Sequence, residues 1–577
     1  MKTLILLLLS CFTLQLSAQT NIISTNQKAE DIMLGNYNPA DYTAQLIIEH
    51  PDTISQRINK EISSDSLKSY IIKLGSFYNR NTGSDTLSPI TGVGAARNWV
   101  YSKFEEFSSK SDNRLVTSFL QFDQQICTMG RHKNIFCVLP GTDPNDHSII
   151  LVEGHMDSRC EGLCDITCQA NGIEDNASGS ALVMELARVM SKYTFKNTLV
   201  FVVLIGEEQS LAGSTAFATY IKNKAIKMKA VLNNDVIGGI ICGKTSSPPS
   251  CPGEGDIDST HVRIFSYGGF NSPHKQLARF SKLEYKEQLT PYLKVPMGIN
   301  LQTPEDRTGR GGDHIPFRQM SYTSIRYTSA NEDGDADVTD PNYKDRQHSF
   351  RDILGVDTNN DGEIDSFYVD FHYLARNCVL NGNTIAMAAQ GIVTPDFDLL
   401  SSPKNMVNVQ LKPSVTYPFY RIALRSQTND WDTVYTVTNL INLVPVFKNF
   451  IAKVYVSVSS VNDLGIESLF SAEKEHSIVA TNEVTAIPEF ELLQNRPNPF
   501  DEATYIVFSS RKAIQEKNAY VLISDVSGLE IKRIPVNIKE GINEVLYEHG
   551  YHATGSLVYS LVVNNRVIDS KRMVFAN

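Results

Sequence analysis

Apolar runs that stop abruptly at polar residues organise the middle of this chain. Ile149 to Val152 is followed by Gly154, His155, Met156 and Asp157. A short, partly β-branched apolar run bounded by glycine predicts a buried strand. Thr198 to Ile205 repeats the pattern and ends in Gly206, Glu207 and Glu208, and a third run, AVLNNDVIGG, reaches Asn234 and Asp235. Between the first two, EDNASGSALVMELARVMSKY places Asp175 ahead of Ser178, a capping residue, and an amphipathic helix to about Tyr193. Three strand ends in succession thus present His and Asp, paired Glu, and Asp. Open α/β sheets place their sites at such ends.

The same reading extends outwards. From Thr53, helical spacing joins Ile54, Ile58, Ile62, Leu67, Ile71 and Leu74, and Gly92 to Phe107 is a second helix with Trp99, Phe104 and Phe107 inward. Asn134 to Thr142 is a strand and turn, Asn271 to Leu283 a helix, and Phe371 to Ala388 a helix with a break expected at Asn381-Gly382. The alternation predicts an α/β domain over 52–395 with a mixed, mainly parallel sheet flanked by helices. Residues 19–51 are polar and weakly patterned, an ordered arm or a propeptide. Gly238 to Thr260 is a Gly, Pro and Ser-rich surface loop. Tyr322, Tyr327 and Tyr343 lie in a loop-rich segment and suit either pocket walls or packing. After Gln390 short alternating strands predict two small all-β sandwich domains, 402–484 with Trp431 and 490–577.

At 577 residues the chain is too long for one average core. An apolar fraction of 42% and a charged fraction of 20% are those of globular protein. A net charge of −11 leaves no basic footprint for nucleic acid. Residues 1–18 read as a secretory signal: Lys2, an apolar run from Leu4 to Leu9, then Leu16-Ser17-Ala18 before Gln19. No other stretch approaches the length of a transmembrane segment, so a secreted or cell-surface protein is expected. Cys11 leaves with the signal, and the remaining eight of nine cysteines favour disulfides. Cys160, Cys164 and Cys168 suit oxidised pairing with Cys127, Cys137 or each other better than a metal cluster, and Cys242 with Cys251 suits a local bridge.

The residue types at the strand ends have a common chemistry. Imidazole and carboxylates are the usual ligands of catalytic zinc. Two metals sharing one carboxylate can activate a water and polarise a carbonyl together, while one carboxylate stays free to take the proton.

GHMDS, EDNASG, GEEQ and NND, followed by GGDHIPF at Gly311 to Phe317 and RQHSFRD at Arg346 to Asp352, resemble the co-catalytic di-zinc aminopeptidases of the bacterial leucyl aminopeptidase type. The resemblance covers roughly Ser55 to Gln390 and implies the zinc exopeptidase fold and a peptide or protein substrate. It implies two zinc ions, one on His155, Asp175 and Asp235, the other on the bridging Asp175, Glu208 and His348. It further implies Glu207 as general acid/base, Asp157 as the group orienting His155, and Asp313 and His314 as substrate-facing residues. Gly312 departs from the commoner serine there. Glutaminyl cyclase and carboxypeptidase chemistry on the same fold remain alternatives, as does a non-catalytic surface adhesin.

Three further segments carry signals. DTNNDGEID places oxygens at Asp357, Asn359, Asp361 and Asp365 with Gly362 in the sixth position, the start of a calcium loop whose twelfth position is Tyr368, not Glu. Structural calcium, completed by Asp370, and a plain acidic turn are both open readings. The 402–484 segment resembles a fibronectin type III module, expected to act as a spacer. LLQNRPNPF, a D-V-S-G turn and the closing KRMVF strand resemble the C-terminal sorting domain of the type nine (Por) secretion system, implying secretion machinery as a partner.

Overall fold

The computed structural model describes residues 19–44, 50–243, 253–307, 310–333, 346–403, 406–426, 430–446, 453–477, 489–496, 498–500, 503–515, 518–526, 529–548, 555–564 and 566–575. The leader at 1–18, Tyr343, Cys251 and the Ser-Gly of the D-V-S-G turn lie outside the described residues.

A nine-stranded sheet forms the centre. Its strands are β1 (Thr20–Ser24), β2 (Val116–Ile126), β3 (Met129–Leu139), β4 (Ile149–His155), β5 (Thr198–Leu204), β6 (Met228–Asn234), β7 (His261–Ser266), β8 (Gly298–Leu301) and β9 (Ser324–Ser329). They run in the order β1-β2-β3-β5-β4-β6-β9-β7-β8. The pairings β5–β4, β4–β6 and β6–β9 at the centre, and β7–β8, are parallel. Those of β1–β2, β2–β3, β3–β5 and β9–β7 are antiparallel. The sheet is thus mixed, with its parallel part around the strands whose ends carry the acidic and imidazole side chains. The tight hairpin from Ile126 to Met129 makes β2 and β3 antiparallel, because parallel neighbours need a long crossover. Every residue of β4 and β5 is buried, as continuous apolar runs require when helices cover both faces.

The helices are α1 (Gln27–Leu34), α2 (Pro51–Glu61), α3 (Ser64–Gly75), α4 (Gly92–Ser109), α5 (Ser178–Met190), α6 (Ala212–Asn223), α7 (Pro273–Glu284), α8 (His314–Gln319) and α9 (Phe371–Ala388). One face of the sheet packs on α2, α3, α4, α5 and α9, the other on α1, α6 and Phe317 of α8. The helical pattern from Thr53 is interrupted at Ile62, which is extended, and Ser63 restarts it as α3 by accepting Ser66 N at 3.2 Å. The break expected at Asn381-Gly382 does not occur. Asn381 is fully buried and donates to Asn377 O at 3.1 Å, and a Cβ on Gly382 would meet Ile58 and Leu186 at 3.0 Å. The glycine there admits neighbouring helices instead of ending its own. Residues 20–42 belong to the central unit: β1 extends the sheet, and Ala29, Ile32, Met33 and Tyr42 are in its core.

Beyond α9 stand two sandwiches of the same design. The first pairs Asp396–Leu400, Met406–Lys412 and Ile441–Pro445 against Thr433–Val437, Phe419–Arg425, Lys453–Val461 and Lys474–Ser477. The second pairs Phe490–Leu492, Ala503–Ser510 and Gly541–Glu548 against Glu530–Pro535, Ala519–Asp525, Gly555–Val563 and Arg566–Phe575. Each has strands one, two and five in one sheet, and four, three, six and seven in the other.

The first sandwich is docked against the α/β unit. Glu473 lies 3.1 Å from Arg279 of α7 and 2.7 Å from Arg425, all three buried. Arg421 reaches Glu287 at 2.6 Å and Glu467 at 3.1 Å. Trp431 packs on Phe470, ring centroids 4.0 Å apart, within the central core and not within the sandwich's own. Lys282 and Lys286 of the α7 region hold Glu544 of the second sandwich.

The Cys127–Cys164 disulfide pins the insertion after Asp157 to the β2–β3 hairpin, and Cys160–Cys168 closes the insertion on itself. Cys137, one of the pairing options, is a buried free thiol on β3, as is Cys378 on α9.

Candidate metal centre

The site forms where β4, β5 and β6 end together. Strand β4 delivers His155 and Asp157, β5 delivers Glu207 and Glu208, and β6 delivers Asp235. Two glycines let the backbones close up behind them. A Cβ on Gly179 would lie 2.0 Å from Asn234 O, and one on Gly154 would meet Gly179 C at 2.8 Å and Asn234 O at 2.9 Å, so α5 can abut β4 and β6 only without side chains there. Val236, just after Asp235, has φ 53, a region costly for a β-branched residue, and Ser210 and Leu211 after the Glu pair are also left-handed. Such outliers gather where surrounding structure over-determines a working geometry.

Asp175 sits in the turn before α5, with a cis peptide to Asn176. The helix starts at Ser178 with Ala177 in the cap position, and Ser178 Oγ donates back to Glu174 O at 2.7 Å rather than capping forward. The Asn176 side chain ties this turn to β6, donating to Asn234 O at 2.9 Å and accepting from Gly179 N at 2.8 Å.

The sequence-predicted ligands converge. His155 Nε2 is 3.3 Å from Asp175 Oδ1 and 3.4 Å from Asp235 Oδ1. His348 Nε2 is 3.0 Å from the other Asp175 oxygen, Oδ2, and 3.6 Å from Glu208 Oε2. Asp175 therefore spans the two imidazoles. Two sets of ligand atoms each lie within 4.8 Å of one another: His155, Glu207 and Asp235, and Asp175, Glu208 and His348. His155 and Asp235 are enclosed, whereas Glu207 keeps partial exposure.

Asp157 orients more than His155. Its backbone O lies 3.1 Å and its Oδ1 3.4 Å from His155 Nδ1, leaving Nε2 to face the carboxylates. Its two oxygens also accept the backbone N–H groups of Glu207 at 3.4 Å and Glu208 at 3.2 Å. Asp157 thus holds an imidazole through its carbonyl and the paired glutamates through its carboxylate.

The electrostatics are those of a crowded acidic pocket. Burial pushes the Glu207 carboxyl well up, with Asp235, Glu208 and Asp313 adding to it against His155. Glu208 is raised by burial and by Asp175. Burial opposes the shift at Asp175, yet His155 and His348 hold it well below the usual carboxylate range. Arg326 and His155 likewise hold Asp235 down against its burial. Around His155, the surrounding aspartates outweigh desolvation and push the imidazole well up. A bound dication would supply positive charge to these carboxylates.

The donors fit such ions. All are imidazole nitrogens or carboxylate oxygens. The buried His155 Nε2, Asp235 Oδ1 and Glu208 Oε1 make no hydrogen bond of acceptable geometry among the described residues.

Several supporting residues lie outside the predicted ligand set. Asp352 accepts Glu174 N and Asp175 N, one at each oxygen, both at 2.9 Å. Its carboxyl is pushed up to about 7 by burial, against Arg346. Arg346 pairs with Glu174 and lies 3.8 Å from Asp352. Arg80, fully buried, donates to Met156 O at 2.6 Å and Gly172 O at 2.8 Å. Arg326 on β9 reaches Asp235, and Arg159 reaches Glu208 Oε2 at 2.6 Å. An arginine in the middle of the strand SIRYTS was the available signal for Arg326, since a buried charge demands a partner.

Other expectations land elsewhere. Asp313 and His314 are fully buried, and Asp313 adds its charge to the field on Glu207. Burial pushes Asp313 up to about 7. His314 Nε2 lies 3.1 Å from Glu305 O. The tight turn into α8 turns both inward. Tyr327 is core, its hydroxyl 2.7 Å from Ser281 Oγ, while Tyr322 stays partly exposed. The Asp357 to Asp365 loop is an exposed turn on a separate hairpin. Asp357 accepts Gly362 N at 2.8 Å and Asp365 accepts Thr358 N at 2.9 Å. Asp370 caps α9, its Oδ1 accepting His372 N at 2.8 Å and Tyr373 N at 2.9 Å.

A mixed sheet flanked by helices, with imidazoles and carboxylates at its central strand ends, defines a hydrolase of the metallopeptidase kind. Comparison with known proteins agrees. Residues 134–245 match the model of peptidase family M28. A probable zinc metalloprotease of Leptosphaeria maculans is 31% identical over 343 residues, 57% of this chain and 75% of that protein. One of Pyrenophora tritici-repentis is 30% identical over 383 residues, 64% and 81% of the two chains. Among solved structures, the LapA aminopeptidase of Legionella pneumophila aligns with a TM-score of 0.42 and 20% identity, over 59% of this chain and 76% of that one. The chain belongs to peptidase family M28 and is a peptide-bond hydrolase.

Proposed function

We propose that this chain is an exported aminopeptidase working with two zinc ions. The observation that carries the reading is the Asp175 carboxylate, with Oδ1 3.3 Å from His155 Nε2 and Oδ2 3.0 Å from His348 Nε2. One zinc would be held by His155, Asp175 and Asp235, the other by Asp175, Glu208 and His348. Zinc so held supplies an activated water and polarises the scissile carbonyl. Glu207 takes the proton from the attacking water and returns it to the leaving amine. A carboxyl made more basic by burial suits that role. Asp157 holds His155 and the Glu207 backbone in register for it.

The zinc assignment is supported by the names of the relatives, and the free N-terminus by the ordered motifs of the leucyl aminopeptidase type. Export is supported by the leader at 1–18 and by two disulfides, which persist in oxidising compartments. The sorting motifs LLQNRPNPF and KRMVF support passage through the type nine secretion machinery. The strand order of 396–477 supports the fibronectin type III likeness.

The test is a panel of peptides with free and blocked N-termini, offered to the chain from Gln19 onward before chelation, after it, and after zinc return. Release of amino acids from unblocked peptides only, lost on chelation and restored by zinc, is the expected result. Cleavage from the carboxyl end, or cyclisation of N-terminal Gln without hydrolysis, would overturn it.

A further inference from the structure

Outside the metal centre, one cleft gathers cations without matching acceptors. It has a volume of about 550 Å³, lies between the first half of α4 and the β2–β3 hairpin, and is lined by Arg97, Asp123, Arg131 and Lys133 with Thr86 and Met129. Its position follows from the strand pattern. Alternation puts Arg131 and Lys133 on the β3 face that also carries Ile135 and Cys137, which pack in the same core as Val100 and Phe104 of α4. Ile135 pairs with Val203 of antiparallel β5. The Met129 end of β3 therefore lies at the end of the sheet where β5 delivers Glu207 and Glu208. Cys127, in the hairpin turn, is tied by its disulfide to Cys164, close after Asp157.

The charges in the cleft do not balance. Asp123 is committed: it accepts Arg131 Nε at 2.7 Å, Arg131 Nη2 at 3.0 Å and Asn21 Nδ2 at 2.7 Å. The Arg97 guanidinium makes no hydrogen bond or ion pair among the described residues, and its Nε is buried. Desolvation holds it below its ordinary range. Lys133 stands over the Phe119 ring at 5.3 Å, and desolvation, Arg97 and Arg131 hold it down too. Three cations against one carboxylate leave two positive charges together, in a chain whose net charge is −11.

A guanidinium whose Nε is drawn out of water with no acceptor carries a free-energy cost that an anion would recover. Its planar fork matches two oxygens of a carboxylate or phosphate, and an ammonium beside it adds a point charge. We propose that the cleft between α4 and the β2–β3 hairpin is an anion site, in which Arg97 and Lys133 hold a carboxylate or phosphate group. Two sources carry that chemistry. One is a carboxylate of a bound peptide extending past the hairpin from the metal centre, which rests on the peptidase reading. The other is a free inorganic anion, which does not.

Two measurements on the full mature chain decide it. Selenate binding is followed by titration calorimetry and by its anomalous signal in soaked crystals, with wild type, Arg97→Gln and Lys133→Gln. Binding in the cleft should weaken about tenfold in either variant, the loss expected for one charge-assisted hydrogen bond. In parallel, kcat/KM is compared for peptides ending in a free carboxylate or an amide. A tenfold loss in the variants confined to carboxylate peptides assigns the site to substrate. Selenate bound in the cleft without that discrimination assigns it to a free anion. No selenate in the cleft and no discrimination overturns the proposal. Were no peptide turned over at all, the peptidase reading would fail and the selenate result alone would decide the site.

Discussion

Arg326 Nη2 lies 3.0 Å from Asp235 Oδ2, while its Nη1 lies 3.0 Å from Asp306 Oδ2. All three side chains are buried, and Asp235 turns its other oxygen toward His155. Arg326 is thus a positioning residue: it fixes which Asp235 oxygen faces the site and compensates its charge. Arg326→Lys keeps the charge but loses the fork that spans two aspartates. The expected outcome is a ~10–100-fold loss of metal affinity or activity, the scale for partners of metal ligands. Metal content after dialysis against graded chelator measures it, and unchanged retention would show that Arg326 serves packing only.

Asp352 works on the backbone instead. An asparagine there offers one acceptor oxygen where the native carboxylate offers two, so either Glu174 N or Asp175 N loses its partner. Asp352→Asn should destabilise the chain by about 1–3 kcal/mol, the cost of one buried unsatisfied donor. Urea unfolding gives the figure. A variant as stable as wild type would mean that the turn carrying Asp175 is held by other contacts.

The docking of the first sandwich gives a third expectation. Glu473 is shared by Arg279 and Arg425 in a buried setting. Removing one member of a buried ion group strands the others, at about 3–5 kcal/mol. Glu473→Gln should therefore split a single calorimetric transition into two, with the sandwich melting first. One undivided transition at the wild-type temperature would contradict the docking account.

Acid should loosen the second sandwich. Although burial opposes it, Lys286 and Lys282 pull the Glu544 carboxyl down to about 2 from an ordinary 4.5. A depressed carboxyl contributes stability above its unfolded pKa and loses it as pH falls through the folded one. The contribution, up to about 3 kcal/mol, should fade between pH 4.5 and 2. Wild type should lose thermal stability across that window, and Glu544→Gln should start lower and change less. Parallel curves would assign the acid sensitivity to other groups.

How much of this was legible beforehand depends on how local the information is. His155, Asp157, Asp175, Glu207, Glu208 and Asp235 follow apolar runs directly, and a strand's end is set by the residues within it. His348 has no such frame and was reached only through its motif. Asp313 and His314 were likewise reached only through a motif. The supporting residues were hidden for a different reason. Arg326 meets Asp235 across 91 positions and Asp352 meets Asp175 across 177, separations that only the folded sheet closes. The docked sandwich was hidden likewise, since Glu473 reads as an ordinary surface charge until α7 is placed beside it.

The central claim is that Glu207 moves the proton while the five other side chains hold the metals. Glu207→Gln tests it most directly, by measuring bound zinc and turnover in the same sample. Two zinc ions per chain with a rate at least ~100-fold lower is the predicted result, the scale of general acid–base catalysis. Near-normal turnover would contradict the role given to Glu207. Loss of a zinc ion together with the rate would make Glu207 a ligand instead.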